Sequence, residues 1–377
     1  MPDIIAANGA LDAGCTLEAK RQEGNMRGVV YHGPRDFRVE AVPDPGLVSD
    51  RDALVRVTRS AICGSDLHLW HGEPLGISGF TMGHEFLGVV EDVGPGVARL
   101  RKGDRVIAAC TAGCGECSLC ARGAYAGCIE MTRIGGPLTN VFGNPLLPGG
   151  QAEAVRVPFA DTNLFRVPDA LEDEQALFLT DILPTGYMGA EMAAIEPGDV
   201  VVVFGCGPVG VFAQRTAELF GPAAIVAVDL DDERLARAEK RGCRTVNPER
   251  DDLDTLVRDL TDGRGADAVI EAVGRPELVQ RALEIARPGA RIAVIGVIPQ
   301  DHVELSFMRG LMAKNLTLRS GLVEPQLYVS RLLPLIEQGR LDPTEIITHR
   351  LALDEAIHGY QVFEAHDENV LKVVLAT

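Results

Sequence analysis

Residues 200–210 read Val-Val-Val-Val-Phe-Gly-Cys-Gly-Pro-Val-Gly. Five apolar residues, four of them β-branched, run into a glycine-rich turn. An apolar run of this length that ends in such a turn reads as a buried parallel strand feeding a helix. Gly205 permits the tight turn, and Gly207 leaves no side chain between backbone and a pyrophosphate. Gly210 lets the new helix pack against its strand. Pro208 and Val209 open that helix, whose first N–H groups face the phosphates. A second apolar strand, Ala224 to Val228, ends in Asp229, an acid placed to accept both hydrogens of an adenosine ribose. A phosphate-blind α/β turn is the alternative. The ordered series of strand, turn, helix, strand and acid argues against it.

The acids that follow bear on which dinucleotide fits. Asp229, Asp231, Asp232 and Glu233 all precede the first base, Arg234. A ribose phosphate would meet negative charge there, so NAD is expected rather than NADP, with Arg234 counted among the cofactor-binding residues. Asp231 and Asp232 also suit the cap of a helix over 232–241. Further strands are expected at 244–246, 268–272, 291–295 and 316–318, with helices at 208–220, 253–260, 276–286 and 305–314. Six strands alternating with helices make a doubly wound parallel sheet, an α/β fold.

The chain has 377 residues, more than one ordinary core holds, so two domains are expected. Acidic residues outnumber basic ones by 54 to 36, a formal charge of −18. That balance argues against nucleic acid and anionic membrane as partners. No apolar run approaches the roughly 20 residues of a membrane span. Residues 1–25 lack a basic start followed by an apolar core, so they read as an N-terminal extension rather than an export signal. The cytoplasm is the expected location. Nine cysteines in such a chain point to thiols and metals rather than disulfides.

From Met26 onward short strands alternate with glycine and proline turns. Candidates are 29–31, 37–42, 53–61, 86–93 and 105–109, a pattern that fits a small, partly open barrel. Within it lie Cys63-Gly64-Ser65-Asp66-Leu67-His68 and Gly83-His84-Glu85. Cys, His and acid are ligand types that zinc takes, although a lone Cys–His pair is more often structural. Cys114, Cys117, Cys120 and Cys128 follow with the spacing C-x2-C-x2-C-x7-C. Four thiolates close a tetrahedron and leave no open position, so such a site is structural. An iron–sulfur cluster or two disulfides are the alternatives; the former prefers other spacings. Cys15, Cys110, Cys206 and Cys243 have no partner at metal spacing. A helix is expected from Leu171 to Leu179. Asp181 then stands among apolar residues, where a carboxylate must be paired, hydrogen-bonded or on a metal. Beyond Gly321, helices at 328–338 and 353–363 and a strand at 370–375 are expected to rejoin the first domain.

These motifs together resemble the zinc-dependent medium-chain alcohol dehydrogenases, including formaldehyde dehydrogenase-like and bacterial members. The motifs are CGSDLH at 63–68, GHE at 83–85, the four-cysteine lobe, TDILPTG at 180–186 and GCGPVG at 205–210. The resemblance covers nearly all of the chain from Met26. It implies a GroES-like catalytic domain at 26–182 and 321–377 and a Rossmann domain at 183–320. It implies two zinc ions: a structural one on the four cysteines and a catalytic one on Cys63, His84 and Asp181. Glu85 would be an exchangeable ligand near the catalytic ion. Asp66 would fix the His84 ring, or else serve only as a turn residue. Ser65 and His68 would carry the alcohol's proton away, and hydride would pass to NAD. His68 could instead be a surface imidazole. Lys372 would reach the phosphates, while Gly64 departs from members with a basic residue there. Trp70, Leu75 and Leu183 are candidate pocket residues that would favour an apolar or aromatic substrate. Formaldehyde or polyol oxidation is the close alternative, and a non-catalytic binding protein on the same fold the remote one. A homodimer or homotetramer is expected.

Overall fold

The computed structural model describes residues 25–72, 77–300, 302–365 and 369–377. Residues 1–24 of the N-terminal extension, Cys15 among them, and Leu75 lie outside the described residues, while Asn25 already begins a strand.

Val200–Phe204 is one of the two central strands of a six-stranded parallel sheet. Across the sheet the strands run Arg244–Val246, Ala224–Val228, Val200–Phe204, Ala266–Glu271, Ala286–Val294 and Thr317–Ser320. That order reverses beside Val200–Phe204, the arrangement of a doubly wound dinucleotide fold, in which ligands sit at the reversal point. The β-branched run is explained by its two faces. Val201 and Val203 enter one apolar cluster with Val211 and Phe212, while Val200, Val202 and Phe204 enter a second with Val257, Val279 and Leu283. A strand covered on both sides has no position for a polar residue.

The expected helix at 305–314 is instead a π-helix, Phe307–Met312. Gly310 sits inside it, where glycine costs an α-helix about 1 kcal/mol, and Gly310 and Leu311 both donate to the Ser306 carbonyl.

The remaining strands form two sheets. Asn25–Gly33, Asp36–Pro43 and Phe80–Thr81 make a small antiparallel one. The larger one holds Ala53–Ile62, Glu85–Val93, Arg105–Ala108, Ala154–Val157 and Leu164–Arg166, with His349–Ala352 and Val373–Ala376 added from the far end of the chain. An isolated bridge between Gly28 and Ala152 links the small sheet to the segment leading into Ala154–Val157. The last strand starts three residues later than the expected 370. Leu371 and Lys372 donate their N–H groups to the Thr348 hydroxyl rather than to a strand neighbour. The expected helix at 171–179 is an α-helix Asp173–Leu177 followed by a 3-10 turn Phe178–Thr180. After a break at Asp181, a further helix runs Ile182–Met192.

Candidate active site and metal centres

At the glycine turn each of the three glycines has a steric reason. Gly205 takes φ +98°, open to glycine and strained for other residues. A Cβ on Gly210 would lie 2.1 Å from the Gly205 carbonyl oxygen, so the helix could not pack so close. A Cβ on Gly207 would meet nothing nearer than Arg234 Nη1 at 3.9 Å. The backbone there is bare, with Pro208 and Val209 beginning the helix Pro208–Ala217 behind it. This is the cradle a pyrophosphate needs. Asp229 accepts the N–H of Cys206 at 2.6 Å and that of Asp231 at 3.0 Å. It therefore anchors the turn, and a carboxylate has further lone pairs to offer. Asp231 caps the helix Asp232–Lys240, accepting from Glu233 and Arg234. Its other oxygen lies 3.6 Å from Arg234 Nε.

A second constellation forms where three segments meet. Strand Ala53–Ile62 ends at Cys63, and a turn leads into the short helix Asp66–His71. Gly83, at φ +96°, delivers His84 to the start of strand Glu85–Val93. Asp181 stands at the break between two helical segments with φ −152° and ψ −77°. Cys63, His84, Glu85 and Asp181 bring one donor atom each to within 4.8 Å of one another. Cys63 Sγ lies 3.7 Å from Asp181 Oδ2, and His84 Nε2 lies 3.2 Å from it. A tetrahedral zinc with bonds of about 2.0–2.3 Å holds its donors roughly 3.3–3.8 Å apart, so the donor set fits that ion. Thr185 donates to the other Asp181 oxygen at 3.0 Å.

Asp66 has a contact on each side of the turn. It accepts the N–H of Cys63 at 3.0 Å, closing the turn, and its Oδ1 lies 3.5 Å from His84 Nδ1. Ser65 Oγ lies 3.4 Å from His84 Nε2, beside the donor cluster. His68 is half-buried one helical turn further on, its N–H on the Ser65 carbonyl at 3.2 Å.

Lys372 is not where it was expected. It is fully buried, and its Nζ donates to Glu85 Oε1 at 2.6 Å. A buried carboxylate needs a cation, and Lys372 supplies it instead of reaching toward the glycine turn. Glu85 Oε2 is buried without a hydrogen-bond partner, the kind of atom a metal ion satisfies. Burial pushes the Glu85 carboxyl up, and Lys372 offsets part of that. Burial would also raise the Asp181 carboxyl, but the His84 bond and charge outweigh it and hold it below the usual carboxylate range.

The pocket expectation changes too. Trp70 is buried against Phe37 and stacked on Tyr360 at 5.7 Å, with its indole N–H on Glu364 at 2.8 Å. It belongs to the core, so it gives no reason to expect an aromatic substrate. Leu183 is likewise fully buried in the core.

The third constellation is the cysteine lobe. Cys114, Cys117, Cys120 and Cys128 bring their sulfurs within 4.8 Å of one another. Cys114 and Cys120 are 3.9 Å apart, and the described cysteines are all free, so the disulfide alternative fails. Backbone N–H groups point at the sulfurs: Cys114 N at Cys128 Sγ (3.1 Å), Cys117 N at Cys114 Sγ (3.3 Å) and Cys120 N at Cys117 Sγ (3.4 Å). That pattern favours thiolates. The Cys120 N–H leads the effects that draw the Cys117 thiol down to about 6, whereas burial pushes the Cys120 and Cys128 thiols up. No described helix is long and apolar enough to cross a membrane.

Comparison with known proteins agrees with this fold. Residues 49–169 match the alcohol dehydrogenase GroES-like domain, and 208–338 match the zinc-binding dehydrogenase family. An uncharacterized zinc-type alcohol dehydrogenase-like protein, AdhB of Bacillus subtilis strain 168, is 35% identical over 93% of this chain and 100% of its own length. An alcohol dehydrogenase of Cupriavidus necator is 38% identical over 93% of this chain and 98% of its own. The solved structure of alcohol dehydrogenase TADH from Thermus sp. ATN1 has TM-score 0.86 and 40% identity, covering 93% of this chain and 99% of that one. The chain belongs to the zinc-type, medium-chain alcohol dehydrogenases, and it is an oxidoreductase of that family.

Proposed function

We propose that this chain oxidises an alcohol with NAD, or reduces the matching aldehyde or ketone. Cys63, His84 and Asp181 hold the catalytic zinc, with Glu85 as the exchangeable fourth group. The four cysteines of the lobe hold a closed structural zinc. The observation that carries this reading is the convergence of Cys63, His84, Glu85 and Asp181 on one point. The helix Ile182–Met192 that starts at Asp181 packs on the helix behind the phosphate turn, so one element ties the two sites together. When bound, the zinc supplies Lewis-acid polarisation of the alcohol oxygen and the nicotinamide accepts the hydride. Asp66 orients His84. Ser65 takes the alcohol's proton and His68 passes it outward. A panel of alcohols, polyols and formaldehyde, read by NADH absorbance, identifies the substrate. If no member of the panel reduces NAD or NADP, the reading fails.

The preference for NAD rests on Asp229 and on Asp231, which sits against Arg234 and offsets its charge. Asp229→Ala removes a charge-assisted bond of about 1.5–3 kcal/mol, so NAD should bind about tenfold or more weakly. Because Asp229 also anchors Cys206, Asp229→Asn serves as the control with similar shape. Wild-type protein equally efficient with NADP would overturn the preference.

Ser65→Ala should slow alcohol oxidation by about a hundredfold at every pH, since the innermost proton acceptor is gone. His68→Ala should be slow at neutral pH and recover as pH rises, when hydroxide takes over its task. Rates from about pH 6 to 10 at saturating NAD test both, the range spanning imidazole titration. A His68→Ala profile parallel to wild type removes His68 from the pathway.

A further inference from the structure

Behind His84 lies a hydrogen-bonded chain drawn from parts of the sequence that carry no motif. Gln151 is fully buried. Its Nε2 donates to the Ala61 carbonyl and to Asp66 Oδ2, both at 3.2 Å. Its Oε1 accepts the Tyr360 hydroxyl at 2.7 Å. These partners fix the amide's orientation: turned over, its oxygen would face a carbonyl and a carboxylate. Tyr360 is fully buried in the helix Ala356–Ala365 and lies 3.3 Å from Asp66 Oδ2 as well. A hydroxyl has one hydrogen, and the shorter contact is the one to Gln151. Burial, then the nearby Asp66 charge, holds the phenol well above its usual range, so it remains a donor.

Every donor in the series points the same way. Tyr360 O–H serves Gln151, Gln151 N–H serves Asp66, and Asp66 faces His84 Nδ1. His84 is then left with Nε2 as its electron-pair donor, the atom 3.2 Å from Asp181. Gln151 also packs on the backbone that carries His84. A Cβ on Gly83 would lie 2.4 Å from Gln151 Cγ, and the Gln151 N–H donates to the Met82 carbonyl at 2.9 Å.

The geometry points to Gln151 and Tyr360 as positioning residues that set the ring orientation and tautomer in which His84 binds the catalytic ion. They act through Asp66 and touch neither metal nor substrate. This rests on the assignment of Cys63, His84 and Asp181 as the catalytic zinc site. Partners of metal-bound histidines behave this way elsewhere, and their loss costs roughly 10–100-fold in metal affinity or activity.

The test uses the purified, zinc-loaded enzyme. Gln151→Ala and Tyr360→Phe are titrated with a chelator while zinc per chain is followed, and the visible spectrum is recorded with cobalt in the catalytic site. Both variants should give up the catalytic ion about tenfold or more readily than wild type. They should also shift the cobalt bands and retain the ion on the four cysteines. Turnover should fall in kcat with little change in the KM for NAD. Tyr360→Phe keeps the ring stacked on Trp70, so the test survives if Gln151→Ala misfolds. Asp66→Ala is run in parallel. If it loses the ion while both outer variants hold theirs with an unchanged cobalt spectrum, the inference is wrong and the zinc site stands. If Asp66→Ala also holds its ion as tightly as wild type, the path through Asp66 is wrong; the ligand assignment is judged separately by Cys63→Ser, which overturns it if the ion is held as tightly as in wild type.

Discussion

Cys63→Ser and Asp181→Ala are each expected to abolish alcohol oxidation while leaving a folded protein. A Lewis-acid metal contributes several kcal/mol of charge stabilisation, and each step of about 1.4 kcal/mol is tenfold in rate. The expected loss is therefore about a thousandfold or more. The fold should survive because Cys63→Ser keeps the buried side chain's size, and outside the donor cluster the Asp181 side chain is bonded to Thr185 in its own helix. Asp181 makes no side-chain cap to the helix that follows, and Thr185 keeps its bond to the Asp181 carbonyl at 3.0 Å. Circular dichroism and zinc per chain, measured beside turnover, separate loss of metal from loss of fold. Wild-type turnover in Asp181→Ala would mean that the ligand set is wrong.

The other large effect is expected on stability. Cys117→Ser should lose the lobe's ion, and the melting temperature should fall steeply. Structural zinc contributes folding energy directly, and a domain has only about 5–15 kcal/mol in all. The lobe also supports its surroundings. Ala126 N–H bonds Glu324 at 3.1 Å, Gln326 donates to the Thr111 carbonyl at 2.6 Å, and Gly123 sits under Leu327. Loosening the lobe would free the start of the helix Pro325–Glu337. A variant that still carries two ions and melts with the wild type would contradict this.

What was legible in the sequence follows from how local the signal is. The strand–turn–helix at 200–210 showed itself because a strand buried on both faces must be apolar throughout. The cysteine lobe showed itself because its ligands lie close together in the chain. The helix Ile182–Met192 was not legible, because Pro184, Gly186 and Gly189 are poor helix formers. In the fold, Pro184 occupies the first turn, where it costs no bond, and a Cβ on Gly186 would lie 2.6 Å from the backbone of Phe212. The glycine is there to bring two helices together. Lys372 and Trp70 misled because a long side chain's direction is set by partners far off in sequence, Glu85 and Glu364. Gln151 gave no signal at all. It lies in a glycine-rich loop, and its three partners come from three other segments.

Zinc content and turnover followed in one sample through metal removal and return test the central claim most directly. The enzyme as purified should carry two zinc ions per chain and form NADH from an alcohol. Removing the more labile ion should stop NADH formation, and restoring zinc should bring it back while the second ion stays in place throughout. NADH formation that continues at its full rate after the labile ion has gone would contradict the account.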